Sequence, residues 1–255
     1  MPLLEGKTAL VMGVANRWSI AWAVAQAVVR EGARLILTYQ GERQKKTAED
    51  LGASLKASKI LPCDVGRDAE VAGLFDSLKQ ENVRLDVLVH SLAFANREDL
   101  ERPFHETSRD GFSLALDVSA YSLVKVAHHA APLMSEGGSV VTLTYLGSTR
   151  AVKNYNIMGV AKAALEASVR YLASELGPQG IRVNAISAGP IKTASARAVK
   201  DFSSMLAAVE QKAPLRKNTD PAEVGDAAVF LASHLARGIT GEVLFVDGGY
   251  NIVGL

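Results

Sequence analysis

The sequence predicts an α/β fold: a single doubly wound domain with a seven-stranded parallel sheet and helices on both faces. Three observations lead there. Short, nearly continuous apolar runs alternate with helix-patterned stretches, and strands apolar on both sides belong to a parallel sheet covered on both faces. The 255 residues are 48% hydrophobic and 22% charged, enough for one compact unit with a large core. No Pro/Gly/Ser-rich linker, internal repeat or low-complexity segment divides the chain, so 1–255 reads as one domain.

The first strand, Thr8–Met12, ends at Gly13, where the backbone can turn tightly. Ser19 is a good N-cap and opens a helix to Arg30. A second strand, Leu35–Thr38, leads to a helix over Arg43–Leu51, and a third, Lys59–Pro62, to a helix over Arg67–Gln80. The fourth strand is Val87–His90, followed by a long helical pattern, Arg109–Met134. The fifth, Val140–Thr144, precedes the helix Tyr155–Leu176, which Gly177-Pro178 stops. Arg182–Ile186 is the sixth strand, Pro221–Ser233 the last helix and Val243–Val246 the seventh strand. The expected order is 3-2-1-4-5-6 with the seventh strand at the edge. This is a Rossmann-like topology, in which ligands bind beyond the carboxyl ends of the strands.

Composition excludes several classes of function. The net charge is +1, from 28 basic and 27 acidic residues, which gives no reason to invoke nucleic acid or a membrane surface. No apolar run reaches the roughly 18–20 residues that span a bilayer. Met1–Lys7 runs almost directly into the first strand and carries Glu5, so no secretory signal is expected. Cys63 is the single cysteine and cannot form an internal disulfide, which fits a reducing cytoplasm. The five histidines are scattered, and no metal site is expected.

The chemistry concentrates on Tyr145, Tyr155 and Lys162, spaced Tyr-x9-Tyr-x6-Lys after the fifth strand. Tyr155 and Lys162 are seven residues apart, hence on one helix face two turns from each other. A phenol and an ammonium facing one site can hold a cofactor and stabilise a developing oxyanion. A cation beside the phenol would also favour its ionised form. Tyr121 and Lys125 offer a competing Tyr-x3-Lys, but they precede the fifth strand and read as structural.

On these residues the chain resembles the bacterial-type NAD(P)H-dependent enoyl-[acyl-carrier-protein] reductases of the short-chain dehydrogenase/reductase superfamily, whose signature is Tyr…Tyr-x6-Lys. The resemblance runs from Lys7 to about Gly249. Ordinary short-chain enzymes have Tyr-x3-Lys and protonate the carbonyl at the carbon that takes the hydride. The longer spacing moves Tyr roughly 4.5 Å along the helix, suiting a conjugated thioester whose charge appears away from that carbon. The resemblance implies Tyr145, Tyr155 and Lys162 as catalytic residues, with Tyr145 also lining the acyl pocket.

Further segments carry the same resemblance. Gly13-Val14-Ala15-Asn16-Arg17-Trp18-Ser19-Ile20-Ala21 matches the family's cofactor turn, which makes Gly13, Ser19 and Ile20 cofactor contacts. In this family Gln40 after the second strand accompanies NADH use; Arg43, Lys45 and Lys46 keep NADPH open, although the lysines also read as a solvated helix start. Asp64 and Val65 resemble the adenine contact, with Asp64 alternatively a turn-former. In His90-Ser91-Leu92-Ala93-Phe94-Ala95 the resemblance lays Leu92 along the cofactor and offers the Ala95 backbone to the acyl thioester; Ala93 departs from the usual Gly. Ala188-Gly189-Pro190-Ile191-Lys192-Thr193-Ala194-Ser195 resembles the second cofactor segment, implying cofactor contacts from Ile191, Lys192, Thr193, Ala194 and Ser195.

A substrate lid is expected over about 190–210, where Val199 and Phe202 join Met158 of the catalytic helix around an acyl chain. The implied partner is an enoyl group on acyl carrier protein, met by a homotetramer. The implied reaction is NADH-dependent reduction of the trans-2 double bond in fatty acid biosynthesis. Two other readings remain: a short-chain carbonyl or 3-ketoacyl reductase, and a nucleotide-binding module without catalysis.

Overall fold

The structure, a computed structural model, describes residues 1–193 and 201–254. Its strands are β1 Thr8–Met12, β2 Arg34–Tyr39, β3 Lys59–Pro62, β4 Val87–His90, β5 Gly138–Thr144, β6 Ile181–Ala188 and β7 Val243–Val246. They form one parallel sheet in the order β3-β2-β1-β4-β5-β6-β7, as expected from the sequence. The principal helices are α1 Ile20–Arg30, α2 Gly41–Ser54, α3 Asp68–Gln80, α4 Arg97–Glu101, α5 Arg109–Leu116, α6 Ser122–Ala130, α7 Asn156–Leu176, α8 Phe202–Lys212 and α9 Pro221–Ala232.

Side chains alternate faces along each strand, so the sheet builds two cores. Leu10, Met12, Leu88 and Val140 pack under α3, α6 and α7, with Phe75, Val126, Leu165 and Val169. Ala9, Val11, Val89 and Val141 point the other way, against Val24 and Val28 of α1 and Val224 and Val229 of α9. At the amino end of the strands Asp86 fastens β1 beside β4, accepting from the Thr8 N–H at 2.9 Å and from Lys7 Nζ at 3.0 Å. Chemistry is left to the opposite end. There the order in which successive strands are added reverses between the parallel neighbours β1 and β4, and the loops leaving those strands bound a crevice.

Two expectations are corrected. The helix expected over Arg109–Met134 is divided into α5, a wider π-helical stretch Asp117–Tyr121, α6 and a tight turn Ala131–Leu133. Pro132 lacks the amide proton needed to continue α6. The wide stretch turns Ser119 toward the loop after β4, where its hydroxyl accepts from the Phe94 N–H at 3.0 Å and donates to the Phe94 carbonyl at 3.2 Å. In addition α8, read in sequence only as part of a lid or surface segment, is a regular helix seated through Leu206 and Val209.

Candidate active site

Gly13 follows β1 with φ +97°, a conformation only glycine adopts easily. A Cβ there would lie 2.0 Å from the Ser91 carbonyl oxygen and 3.3 Å from Leu92 Cδ2. The two loops bounding the crevice can pack this closely because residue 13 has no side chain. Ser19 caps α1, accepting from the Trp22 N–H at 3.3 Å. The remaining N–H groups at that helix start, Ile20 among them, favour an anion.

Gln40 is exposed at the end of β2, Arg43 is exposed on α2, and Lys45 lies 3.7 Å from Glu42. Asp64 accepts from the Gly66 N–H at 3.0 Å, as a turn-former does, while the neighbouring Val65 packs on the core. Ile191 is buried beyond β6, with Lys192 exposed and Thr193 half-buried beside it. Ala194, Ser195 and Val199 lie outside the described residues.

The chemical groups converge where β5 ends and α7 begins. Tyr145 and Tyr155 meet edge to face, with centroids 4.9 Å apart and planes at 68°. Tyr155 stands just before α7 in a helical conformation (φ −94°, ψ −25°) rather than inside the helix. A small apolar cluster backs it, formed by Leu100, Ala115, Ile157, Met158 and Ala161 and flanked by Ala95. This brings Met158 and Ala95, two of the expected substrate-pocket residues, beside Tyr155. Phe202 begins α8, and the Tyr145 hydroxyl donates to Met205 Sδ of that helix at 3.3 Å.

Lys162 is 5% exposed and donates to the Leu143 carbonyl at 2.8 Å. Burial depresses its pKa to about 8, with Glu166 one turn further along α7 opposing the shift. Glu166 is itself buried and accepts from the Thr144 hydroxyl at 2.6 Å. Burial raises Tyr145 to about 12 and pushes Tyr155 higher still, helped by Tyr145 and Glu166. The expected favouring of an ionised tyrosine by a neighbouring cation finds no support: burial, Tyr145 and Glu166 all favour the protonated phenol at Tyr155.

Sequence reasoning missed several supports. His90 is fully buried between Thr142 Oγ1 at 3.0 Å and Ser122 Oγ at 2.8 Å. Both hydroxyls also have backbone partners: Ser122 donates to the Val118 carbonyl at 2.7 Å and Thr142 to the His90 carbonyl at 3.1 Å. Burial, then Lys162, hold the His90 pKa down to about 3. Gly147 is a second missed residue. A Cβ there would come within 2.5 Å of Tyr155 Cδ1 and 3.4 Å of Tyr145 Cδ1. The competing pair is structural as expected: Tyr121 is 49% exposed, and Lys125 is 2.9 Å from Asp68 of α3.

The glycine turn, the buried lysine and the paired tyrosines thus stand together at the carboxyl end of the sheet. The chain matches the family model described as Enoyl-(Acyl carrier protein) reductase over residues 13–251. It belongs to that family. The NADH-dependent enoyl-[acyl-carrier-protein] reductase FabI of Bacillus cereus is 56% identical, with 100% of both chains covered. The NADPH-named FabI of Staphylococcus aureus strain MRSA252 is 50% identical over 98% of both chains. Among solved structures, the Bacillus cereus enoyl-acyl carrier protein reductase with NADP+ and an indole naphthyridinone superposes with a TM-score of 0.98 over 100% of both chains, at 56% identity. The enoyl reductase of Aquifex aeolicus VF5 gives a TM-score of 0.96 at 43% identity, covering 99% of each chain. Membership of the enoyl reductase family accounts for the longer tyrosine–lysine spacing, which ordinary short-chain enzymes lack.

Proposed function

We propose that this enoyl reductase family member reduces the trans-2 double bond of enoyl thioesters on acyl carrier protein, using NADH, in fatty acid biosynthesis. One observation carries the reading: Tyr155, held as a neutral phenol against Tyr145, precedes the buried Lys162 by the enoyl-reductase spacing.

The residues present suit a dinucleotide. Gly13 admits a close turn, the start of α1 presents free N–H groups, and Lys162 points an ammonium toward the same end of the sheet. When bound, the cofactor supplies the hydride for the β-carbon. Lys162 donates to ribose hydroxyls and lends positive potential. Leu92 and Ile191 would flank the nicotinamide, Thr193 would serve the pyrophosphate and Asp64 with Val65 the adenine, while Ala194 and Ser195, outside the described residues, stay cofactor contacts by family resemblance alone. Tyr155 donates to the thioester oxygen, and that hydrogen bond strengthens as enolate charge develops. A phenol kept protonated by burial is the right state for this donor. Tyr145 orients the carbonyl from the side. Gln40 carries the NADH preference that the family resemblance implies, and exposed Arg43 leaves room for NADPH.

The acyl chain would lie along Met158 and Phe202, with the segment 190–210, part of which lies outside the described residues, read from the sequence as a lid. The exposed Phe112, Tyr121, Val124 and Tyr171 around α5–α7 support assembly as a homotetramer. Among the described residues no helix is long and apolar enough to cross a membrane. We place the enzyme in the cytoplasm, as one domain.

The test is cofactor oxidation by purified protein given crotonyl or longer enoyl thioesters, or 3-ketoacyl thioesters, with NADH or NADPH. Faster turnover of the enoyl thioester with NADH is expected. Faster turnover of the keto thioester would make the chain a carbonyl reductase.

A further inference from the structure

We propose that Asn156 is a positioning residue that sets Tyr155 for the reaction by tying its backbone to the end of α4. The inference rests on the reading of Tyr155 as the hydrogen-bond donor to substrate.

Tyr155 is flanked by two asparagines with positive φ, Asn154 at +64° and Asn156 at +39°. A non-glycine residue in this region is uncommon, and asparagine is among the residues that tolerate it best. Two such residues around one tyrosine mark a backbone held by its surroundings, the pattern found where geometry serves function. The restraint is visible at Asn156. Its side-chain amide gives one proton to the Leu100 carbonyl at 2.9 Å and the other to the Arg102 carbonyl at 2.8 Å.

These carbonyls belong to the last turn of α4, where helix geometry leaves carbonyls without an intrahelical donor. Asn156 thus satisfies α4 and locks the entry of α7 in the same contact. Leu100 is also buried against Ile157, Met158 and Ala161 of α7, so amide and apolar contacts hold the same junction. The loop before α4 contains Ala95, which packs on the same cluster. Asn156 therefore links the wall of the acyl pocket to the backbone of the tyrosine that faces it. Glycine at 156 would accept the φ but supply neither donor. Aspartate would keep the shape but turn a carboxylate on two carbonyls. Both substitutions remove the anchor while tolerating the positive φ, and aspartate adds repulsion from the two carbonyls.

The experiment uses the full-length enzyme with crotonyl-CoA as probe. Asn156→Asp and Asn156→Gly are made in the parent and in Tyr155→Phe. Measurements are kcat, KM, NADH affinity by fluorescence titration, and thermal midpoint. In the parent, Asn156→Asp is expected to lower kcat by about ten- to hundredfold, the cost of misplacing a reacting group by about an ångström. Asn156→Gly is expected to lose less. NADH affinity should stay within about twofold, and in Tyr155→Phe the additional loss should shrink to about twofold or less, because the group being positioned has lost its hydroxyl. An equal loss in both backgrounds, or NADH affinity falling in step with kcat/KM, overturns the inference while leaving Tyr155 in its role. Full turnover by Tyr155→Phe alone overturns the reading of Tyr155 and the inference with it. Should Asn156→Asp not fold, the same comparison is made with Asn156→Gly.

Discussion

Gly147 lies against the Tyr155 ring, and its missing side chain is what lets Tyr155 meet Tyr145 edge to face. The same turn approaches α7 at Gly159, where a Cβ would stand 2.7 Å from the Gly147 carbonyl oxygen. The backbone after β5 is thus packed directly on the first turn of α7.

Gly147→Ala places a methyl group 2.5 Å from Tyr155 Cδ1, so the ring must move. Overpacking of this kind destabilises by about 1–3 kcal/mol, and the displaced phenol should lower kcat by up to about a hundredfold. Urea unfolding and steady-state kinetics check both. Unchanged kcat would show that the ring tolerates displacement.

The two tyrosines should differ in their kinetic effects. Tyr155→Phe removes the donor to the developing charge and should reduce kcat by about 10²–10³-fold with NADH affinity preserved. Tyr145→Phe removes a hydroxyl whose contact is Met205 Sδ at 3.3 Å. Its effect should be below about tenfold and fall mainly on KM for the thioester. Equal losses in kcat would assign both phenols the same role.

NADH affinity should weaken as pH rises through about 8, where the buried Lys162 loses its proton. Burial has lowered this pKa from the ordinary lysine value, so the cation is present below about 8 and absent above it. The ionisable groups around it are Glu166, which favours the cation, and His90, which is neutral with its pKa near 3. Glu166→Gln removes the favourable charge and should move the alkaline limb to lower pH. Fluorescence titration of NADH across pH 6–10 reads the shift directly; a limb that does not move would show Glu166 to be electrostatically silent.

His90 should make the fold sensitive to acid. Its folded pKa, about 3, lies below the ordinary 6.5, so the unfolded chain takes up a proton that the folded chain refuses. The stability His90 contributes is present above pH 6.5 and declines toward pH 3, at up to about 1.4 kcal/mol per pH unit. His90→Gln should be less stable at pH 7 but show a shallower decline between pH 6.5 and 4.5 in denaturant unfolding. Parallel curves for parent and variant would exclude this source of acid sensitivity.

Much of the framework is legible in particular residues. The apolar strands and the Gly13, Ser19 and Gly177-Pro178 punctuation are local signals, and the strand order follows from alternation with helices. The Tyr145, Tyr155, Lys162 spacing pointed to the enoyl reductase family, which the match over residues 13–251 shows. Less legible was the stretch Asp117–Tyr121, whose helical periodicity hides the wide turn that directs Ser119 to Phe94. His90 looked like the end of a strand, since Thr142 and Ser122, its hydrogen-bonding partners, are distant in sequence.

What sequence alone determined is therefore the alternation of elements, the crevice at the carboxyl ends of the strands and the choice of candidate reacting groups, all set by periodicity, turn chemistry and side-chain type. Tertiary structure decided the state and aim of those groups. Burial favours the protonated Tyr155 and depresses Lys162, Thr144 donates to Glu166 of the same helix, and Gly147 and Asn156 hold the tyrosine between two segments far apart in the chain. Desolvation and steric contact depend on neighbours in space, which no local pattern of residues records.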